Sequence, residues 1–153
     1  MSLKEKLSED LKRAMRAKDQ PRLNCVRMLK SKIQEKEVEA RGKHGADHKL
    51  DEQALVDVVA SYAKQRRDSM AQYEELGRED LAAKERDELA LLADYLPEQL
   101  DEAQIREIVA AAVAESGATE AKQMGAVMKL VMPQVKGKAD GKLVNKIVKE
   151  HLN

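Results

Sequence analysis

The chain contains no phenylalanine and no tryptophan, and tyrosine occurs only three times in its 153 residues. Its interior must therefore be built from aliphatic side chains and from the seven methionines. Hydrophobic residues make up 42% of the chain, which is enough for a packed core. Alanine, leucine, glutamate and lysine, all strong helix formers, dominate, and only three prolines interrupt them. These features predict a multihelical, all-α protein.

Apolar residues recur at intervals of three and four in seven segments, which is the spacing of amphipathic helices. Asp19, with Pro21 shortly after it, and Asp101 precede such segments and are predicted to cap them. The polar, glycine-bearing stretch GKHGADHK, residues 42–49, is predicted to be a loop. The predicted helices span residues 3–17, about 20–41, 51–76, 79–95, 102–116, 120–132 and 141–152.

A domain boundary is predicted within YLPEQLDEAQI, residues 95–105. Pro97 ends the fourth helix there, because the residue before a proline disfavours helical geometry. The sequence thus predicts an N-terminal four-helix subdomain, residues 1–96, and a C-terminal three-helix subdomain, residues 97–153.

The single cysteine, Cys25, cannot form an internal disulfide, and no run of 18 apolar residues is present. These features, and the absence of a signal-like apolar segment, lead us to expect a cytoplasmic protein without a membrane span. We expect Cys25 to be a small core residue rather than a reactive thiol.

Charge is unevenly distributed, although 28 basic and 28 acidic residues balance over the chain. Residues 12–32 hold eight basic side chains against Asp19 alone, residues 97–121 have a balance of −5, and residues 122–153 have a balance of +5. The block at 12–32 is either a nucleic-acid contact or the solvated faces of the first two helices. Basic blocks within a neutral chain permit a surface that binds a polyanion.

The stretch KGKADGK, residues 136–142, has two possible interpretations. Gly137 and Gly141 would allow backbone N–H groups to approach a phosphate at a helix amino end. Asp140, however, is placed to cap the last helix, and the stretch lacks the strand and the sequence pattern of a phosphate-binding loop. A capped turn is therefore the favoured interpretation.

The lysines around this turn form the candidate nucleic-acid-binding surface. Residues 142, 146 and 149 share one face of the last helix, and residues 122 and 129 are spaced to superpose after two turns. The absence of aromatic residues near them indicates contact with the phosphate backbone rather than stacking on bases. The candidate residues are Lys122, Lys129, Lys136, Lys138, Gly141, Lys142, Lys146 and Lys149.

Three further groups of residues are more consistent with structure than with chemistry. KQRRD, residues 64–68, would meet Glu85 and Glu88 across a helical hairpin, and an Arg–Glu packing network is favoured over an acid–base pair. His44, Asp47 and His48 lack a fourth ligand, so no metal site is predicted. The row of Met124, Met128 and Met132 marks either core filling or an adaptable binding groove.

Four stretches together resemble the GatB/YqeY family in its free-standing YqeY-like form. They cover most of the chain, in order and at the spacing of the family, whereas the 42–49 stretch matches no family motif. The matching stretches are RLNCVRMLKSKIQEKEVEAR (22–41), KQRRDSMAQY (64–73), REDLAAKERDELALLADYLPEQL (78–100) and MGAVMKLVMPQVKGKADGKLVNKIVKEHL (124–152).

The resemblance implies two helical subdomains joined near Pro97. It also implies a relation to the tail domain of the B subunit of tRNA-dependent amidotransferases, which helps to hold tRNA, and to similar domains attached to a glutaminyl-tRNA synthetase. The implied partners are tRNA and an amidotransferase or an aminoacyl-tRNA synthetase.

Two alternatives to tRNA binding remain open. One is a component of a carbon–nitrogen ligase that uses glutamine as amido donor, and the other is a protein-interaction module without RNA binding. The sequence shows no catalytic Ser–Lys stretch, no nucleotide-binding loop and no cofactor motif. We therefore expect no catalysis by the chain alone and no cofactor.

Overall fold

The computed structural model describes all residues, 1–153, and consists of helices joined by short connections. The all-α, multihelical prediction is confirmed. No helix combines the length and the apolar character needed to cross a membrane. The helices are α1 (Leu3–Ala17), α2 (Gln20–His44), α3 (Glu52–Glu75), α4 (Glu79–Leu92), α5 (Glu102–Ser116), α6 (Met124–Val135) and α7 (Gly141–Leu152), with short 3₁₀ helices at Ala93–Tyr95 and Ala121–Gln123.

Short polar side chains begin most of these helices. A side-chain oxygen of Asp19 accepts a hydrogen bond from the backbone N–H three residues later at 3.1 Å, and the Asp51 and Asp101 side chains do the same at 2.8 Å. Ser2 forms a reciprocal capping box with Glu5. Each bond satisfies a backbone donor that the first helical turn leaves without a partner. The predicted caps at Asp19 and Asp101 are confirmed.

The predicted loop at residues 42–49 is partly wrong, because α2 continues through Gly42 to His44. Two ion pairs join Glu39 to Lys36 and Lys43 along this end, at 3.0 and 2.8 Å. Basic residues also favour the carboxyl end of a helix, where the partial charge is negative. The helix stops at Gly45, whose φ of +106° lies in a region that other residues rarely adopt.

The end of α6 also differs from the prediction. The helix passes Pro133 and ends at Val135 rather than at Met132. Val135 is only 1% exposed, and the N–H of Lys136 still reaches the carbonyl of Met132 at 3.0 Å. Burial of Val135 thus favours continuation of α6 past Pro133, although proline has no N–H to donate within the helix.

The structure divides into two compact units, residues 1–96 and 97–153. In the N-terminal unit α1, α2 and the first half of α3 enclose a mostly aliphatic core with α4. Cys25 is 3% exposed within it, and burial raises the pKa of its thiol to about 11. The buried core residues are Leu3, Leu7, Cys25, Val26, Leu29, Ile33, Leu55, Val59, Tyr62, Ala63, Leu92 and Tyr95.

A polar cluster around Tyr95 stabilises the C-terminal end of this unit. The Tyr95 hydroxyl donates to Asp10 Oδ2 at 2.7 Å, and Arg22 Nη1 donates to Asp94 Oδ2 at 2.7 Å. The ammonium of Lys6 lies 5.3 Å from the Tyr95 ring centroid, within range of a cation–π contact. The cluster joins α1, α2 and the 3₁₀ turn after α4. Burial, followed by the hydrogen bond to Asp10, raises the pKa of Tyr95 to about 12.

The hairpin of α3 and α4 is joined by an ion pair and by a tyrosine–carboxylate hydrogen bond. Arg66 Nη1 lies 3.2 Å from Glu85 Oε1, and the Tyr62 hydroxyl donates to Glu88 Oε1 at 2.5 Å. Ala82 is the only buried residue between positions 64 and 91. The predicted Arg–Glu network is confirmed at Arg66 and Glu85, whereas Glu88 bonds to a tyrosine.

The C-terminal unit has a separate core without any aromatic side chain. It lies between α5, α6 and α7 and shares no residue with the core of the other unit. Independent folding of each unit as a domain remains a prediction. The buried core residues are Ile105, Val109, Ala112, Ala118, Val127, Val131, Val135, Val144, Ile147, Val148 and Leu152.

Expressed separately, residues 1–96 and residues 97–153 are each expected to show a helical circular-dichroism spectrum and cooperative thermal unfolding. Each fragment keeps its whole core, although the shorter one should be marginally stable because of its size. A fragment of residues 1–76 is the matched control, since it lacks Leu92 and Tyr95 and should lose cooperativity. An unstructured 97–153 fragment would contradict independent folding.

Alkaline pH is expected to weaken the N-terminal unit through Tyr95. The phenol ionises near pH 10 in the unfolded chain but near 12 in the folded unit, so its stabilising contribution is complete below pH 10 and is lost as the pH rises to 12. Urea unfolding between pH 9 and pH 11.5 should show a shallower pH dependence for Tyr95→Phe than for the wild type. Tyr73→Phe is the control, and identical slopes for Tyr95→Phe and the wild type would refute the assignment.

Candidate nucleic-acid interface

The turn between α6 and α7 is closed by its own backbone. Gly137 has a φ of +74°, which lets the chain reverse after α6. The N–H groups of Lys138 and Ala139 both donate to the carbonyl of Val135, at 2.8 and 3.1 Å. Asp140 Oδ1 accepts from the N–H of Lys142 at 3.1 Å, so the predicted cap of α7 is confirmed.

The start of the C-terminal unit also holds this turn. Gln99 Nε2 donates to the carbonyl of Gly137 at 2.9 Å, and the Leu100 N–H donates to the carbonyl of Lys138 at 2.8 Å. Within the turn, the N–H donors of residues 138, 139 and 142 are already used, which favours a capped turn over a phosphate cradle. Gly141 has no close neighbour within 4 Å of an added Cβ, so space does not require glycine there.

Lys122 lies outside the helix in which the sequence places it. It belongs to the 3₁₀ helix Ala121–Gln123, and its ammonium pairs with Glu120 Oε2 at 3.1 Å. The superposition of Lys122 on Lys129 assumed one continuous α-helix, so that prediction is wrong. Glu120 also neutralises part of the charge that Lys122 was expected to offer.

Five of the remaining lysines line two shallow depressions of the C-terminal unit, whereas Lys138 lies in the turn and borders neither. Lys129 and Lys136 border one on α6, with a volume of about 650 Å³. Lys142, Lys146 and Lys149 border another on α7, with a volume of about 460 Å³. The α7 lysines therefore share a face, as their spacing predicts.

Most of these lysines offer their charge to solvent. Lys129, Lys138, Lys146 and Lys149 are exposed, and none of them joins an ion pair. Glu150, the carboxylate within the α7 depression, pairs with Arg106 Nη1 at 3.0 Å, which offsets its charge. Such a surface can bind phosphate groups through side-chain ammonium ions.

The depression on α6 has a feature that the sequence shows only in part. Its floor is apolar and is formed by Gly125, Met128, Met132 and Pro133. Met124 and Met128 pack against the core, whereas Met132 is 38% exposed. The spacing of the methionines indicated a row, but its division between core and surface depends on how α6 packs.

The histidine group gives no metal centre. The rings of His44 and His48 lie 4.8 Å apart near the end of α2. No group of three or more histidine, cysteine, aspartate or glutamate side chains is arranged to hold a metal ion.

Fold and surface together define an all-helical protein of two compact units, the second of which carries exposed lysines around a capped turn. The model of the YqeY-like protein family matches residues 4–152, and the chain belongs to that family. The resemblance noted in the sequence is thus confirmed at the level of the family.

Yeast proteins named "Altered inheritance of mitochondria protein 41, mitochondrial" are similar to this chain. The protein of Kluyveromyces lactis is 42% identical over 89 residues, which cover 58% of this chain and 45% of the relative. Those of Vanderwaltozyma polyspora and Saccharomyces cerevisiae are 41% and 36% identical over 90 residues, 59% of this chain and 46% of each relative. The chain thus matches less than half the length of these relatives. Their names mention neither RNA nor amide transfer, and they fit poorly with the cytoplasmic location expected from the sequence.

Replacing Asp140 with alanine should destabilise the start of α7 by about 0.5–2 kcal/mol, because the carboxylate caps the Lys142 N–H. Hydrogen exchange of the full chain should then show faster exchange in residues 136–152. Asp140→Asn, which retains a capping oxygen, is the control and should change exchange less. Unchanged protection in Asp140→Ala would contradict the capped turn.

Proposed function

We propose that the chain is an accessory protein that binds tRNA through its C-terminal unit, in connection with tRNA-dependent amidotransferase or aminoacyl-tRNA metabolism. The observation that carries the proposal is the set of exposed lysines on α6, α7 and the turn between them. Four of these, Lys129, Lys138, Lys146 and Lys149, have no carboxylate partner. The resemblance to the tail domain of an amidotransferase subunit supplies the class of RNA.

The chemistry of the surface favours contact with the RNA backbone. Lysine presents a flexible point charge that suits phosphate but does not select bases. All three tyrosines lie before residue 97, so the C-terminal unit has no tyrosine, phenylalanine or tryptophan on which an unpaired base could stack. Binding should therefore depend on salt and on RNA shape, with little sequence preference.

A second candidate is a protein-interaction module, and the apolar depression on α6 favours it. Exposed Met132 and Pro133 contribute nothing to phosphate binding but suit an apolar side chain of a protein. The carbon–nitrogen ligase alternative has no comparable support, because the lysine surface includes no nucleophile with a positioned base.

The fold does not determine the cellular location of the protein, so the location depends on where the proposed ligand, tRNA, is present. The cytoplasmic location remains a proposal, and the names of the yeast relatives point to mitochondria for those proteins. A tRNA-binding role requires only a compartment in which tRNA is present.

The test is binding of labelled tRNA to the full chain over a salt series. The variant changes Lys129, Lys138, Lys142 and Lys146 to glutamate. Wild-type binding should weaken steeply with salt, since phosphate contacts release counterions, and the variant should lose binding.

A matched control changes the same number of lysines elsewhere to glutamate, at positions 36, 43, 64 and 84, and so alters total charge equally. Equal loss in both variants would indicate general attraction rather than a site. Absence of wild-type binding at low salt would reject the tRNA role and favour the protein-interaction module.

A further inference from the structure

The structure separates the eight basic residues of positions 12–32 into two groups. Three of them meet carboxylates: Arg13 lies 3.4 Å from Asp10, Arg22 2.7 Å from Asp94 and Lys32 3.5 Å from Glu35. Lys18 ends α1 in a left-handed conformation, with φ of +54°. The other four are exposed and join no ion pair: Lys12, Arg16, Arg27 and Lys30.

These four cations are brought together by the packing of α1 on α2. The two helices run antiparallel, since Lys4 pairs with Glu37 near one end while a connection of only two residues joins them at the other. Between these points Lys30 Nζ donates to Ser8 Oγ at 3.1 Å, which shows that Lys30 lies beside Ser8 on the exposed side of the helix pair.

Helix geometry extends this face toward the connection. Lys12 and Arg16 follow Ser8 by one and two turns on α1, and Arg27 lies one turn from Lys30 in the same direction on α2. The antiparallel register therefore places Lys12 on α1 at about the same level as Arg27 on α2. We call these four residues, Lys12, Arg16, Arg27 and Lys30, the α1–α2 cationic face.

We propose that the α1–α2 cationic face is a second binding site for the phosphate backbone of RNA, located in the N-terminal unit. Glu5 and Glu9 lie one to two turns before Lys12 on α1, but four cations against these two carboxylates leave the face with a net positive charge, which a polyanion can neutralise. Their spread over two helices suits an extended chain of phosphates better than one small anion. The inference takes its class of ligand from the proposed function but rests on different residues.

Anionic lipid is another polyanionic surface, and the structure disfavours it. Leu3, Leu7 and Ala14, which would have to enter the membrane, are buried in the core of the unit. RNA requires no apolar insertion and contacts only the cationic face.

The test measures binding of a labelled tRNA transcript to the full chain between 50 and 300 mM salt. The variant changes Lys12, Arg16, Arg27 and Lys30 to glutamine. The slope of log K against log salt should fall by about 3, at roughly 0.7–0.9 per phosphate contact, with at least a tenfold loss of affinity at low salt. The control changes Lys36, Lys43, Lys64 and Arg78 to glutamine, because each of these is already paired with a carboxylate.

The outcomes separate this inference from the proposed function. If the glutamine variant of the cationic face keeps the wild-type slope while the C-terminal glutamate variant loses binding, this inference is wrong and the proposed function stands. If the cationic-face variant loses binding while the C-terminal variant keeps it, this inference stands and the C-terminal site of the proposed function is wrong. Absence of any wild-type binding at 50 mM salt rejects both.

Two further measurements distinguish an RNA contact from misfolding and from lipid binding. Circular dichroism and thermal unfolding should match between wild type and variant, since all four side chains are exposed. Vesicles of phosphatidylserine and phosphatidylcholine serve as the lipid probe. Loss of vesicle binding in the variant, with tRNA binding unchanged, would overturn the proposal in favour of a membrane contact.

Discussion

Burial of aliphatic side chains between helices is the interaction on which both units depend. Each fully buried valine, leucine or isoleucine contributes about 1.5–3 kcal/mol relative to exposure, and the C-terminal core contains nothing larger than leucine. Such side chains carry no polar atoms, so they cannot determine where a helix begins. Five of the seven α-helices begin instead at side-chain caps, formed by Ser2, Asp19, Asp51, Asp101 and Asp140.

Local signals in the sequence predicted most of the helices because the apolar spacing and the caps agree. The errors at the helix ends lie where another interaction outweighs helix propensity. Gly42 and Pro133 are helix breakers by propensity, yet ion pairs at Glu39 and burial of Val135 carry the helices past them. The exposure of the candidate lysines could be predicted, because they lie opposite the apolar stripe of each helix. The ion pairs between distant residues could not be predicted. Arg22 pairs with Asp94, 72 positions away, and only the tertiary fold brings them together.

A net charge of zero conceals how the charges are arranged. Cations paired with carboxylates, such as Arg13 and Lys122, add little to the surrounding electrostatic potential, whereas clusters with an excess of cations attract a polyanion. In both proposed RNA contacts, most of the charged side chains lie on helices whose opposite faces are buried in a core. Such surfaces are rigid in the backbone but flexible at the ammonium groups, an arrangement that suits recognition of shape and charge more than of bases.

The α3–α4 hairpin has a consequence for how relatives of this chain can differ in length. Its outer half buries only Ala82, and two ion pairs, Arg66–Glu85 and Glu74–Arg86, join its helices. Insertion or deletion of two whole turns, about seven residues in each helix, would leave the bundle core unchanged and would keep the facing side chains in phase. Related chains can therefore differ in the length of the α3–α4 hairpin while they keep the same helix bundle.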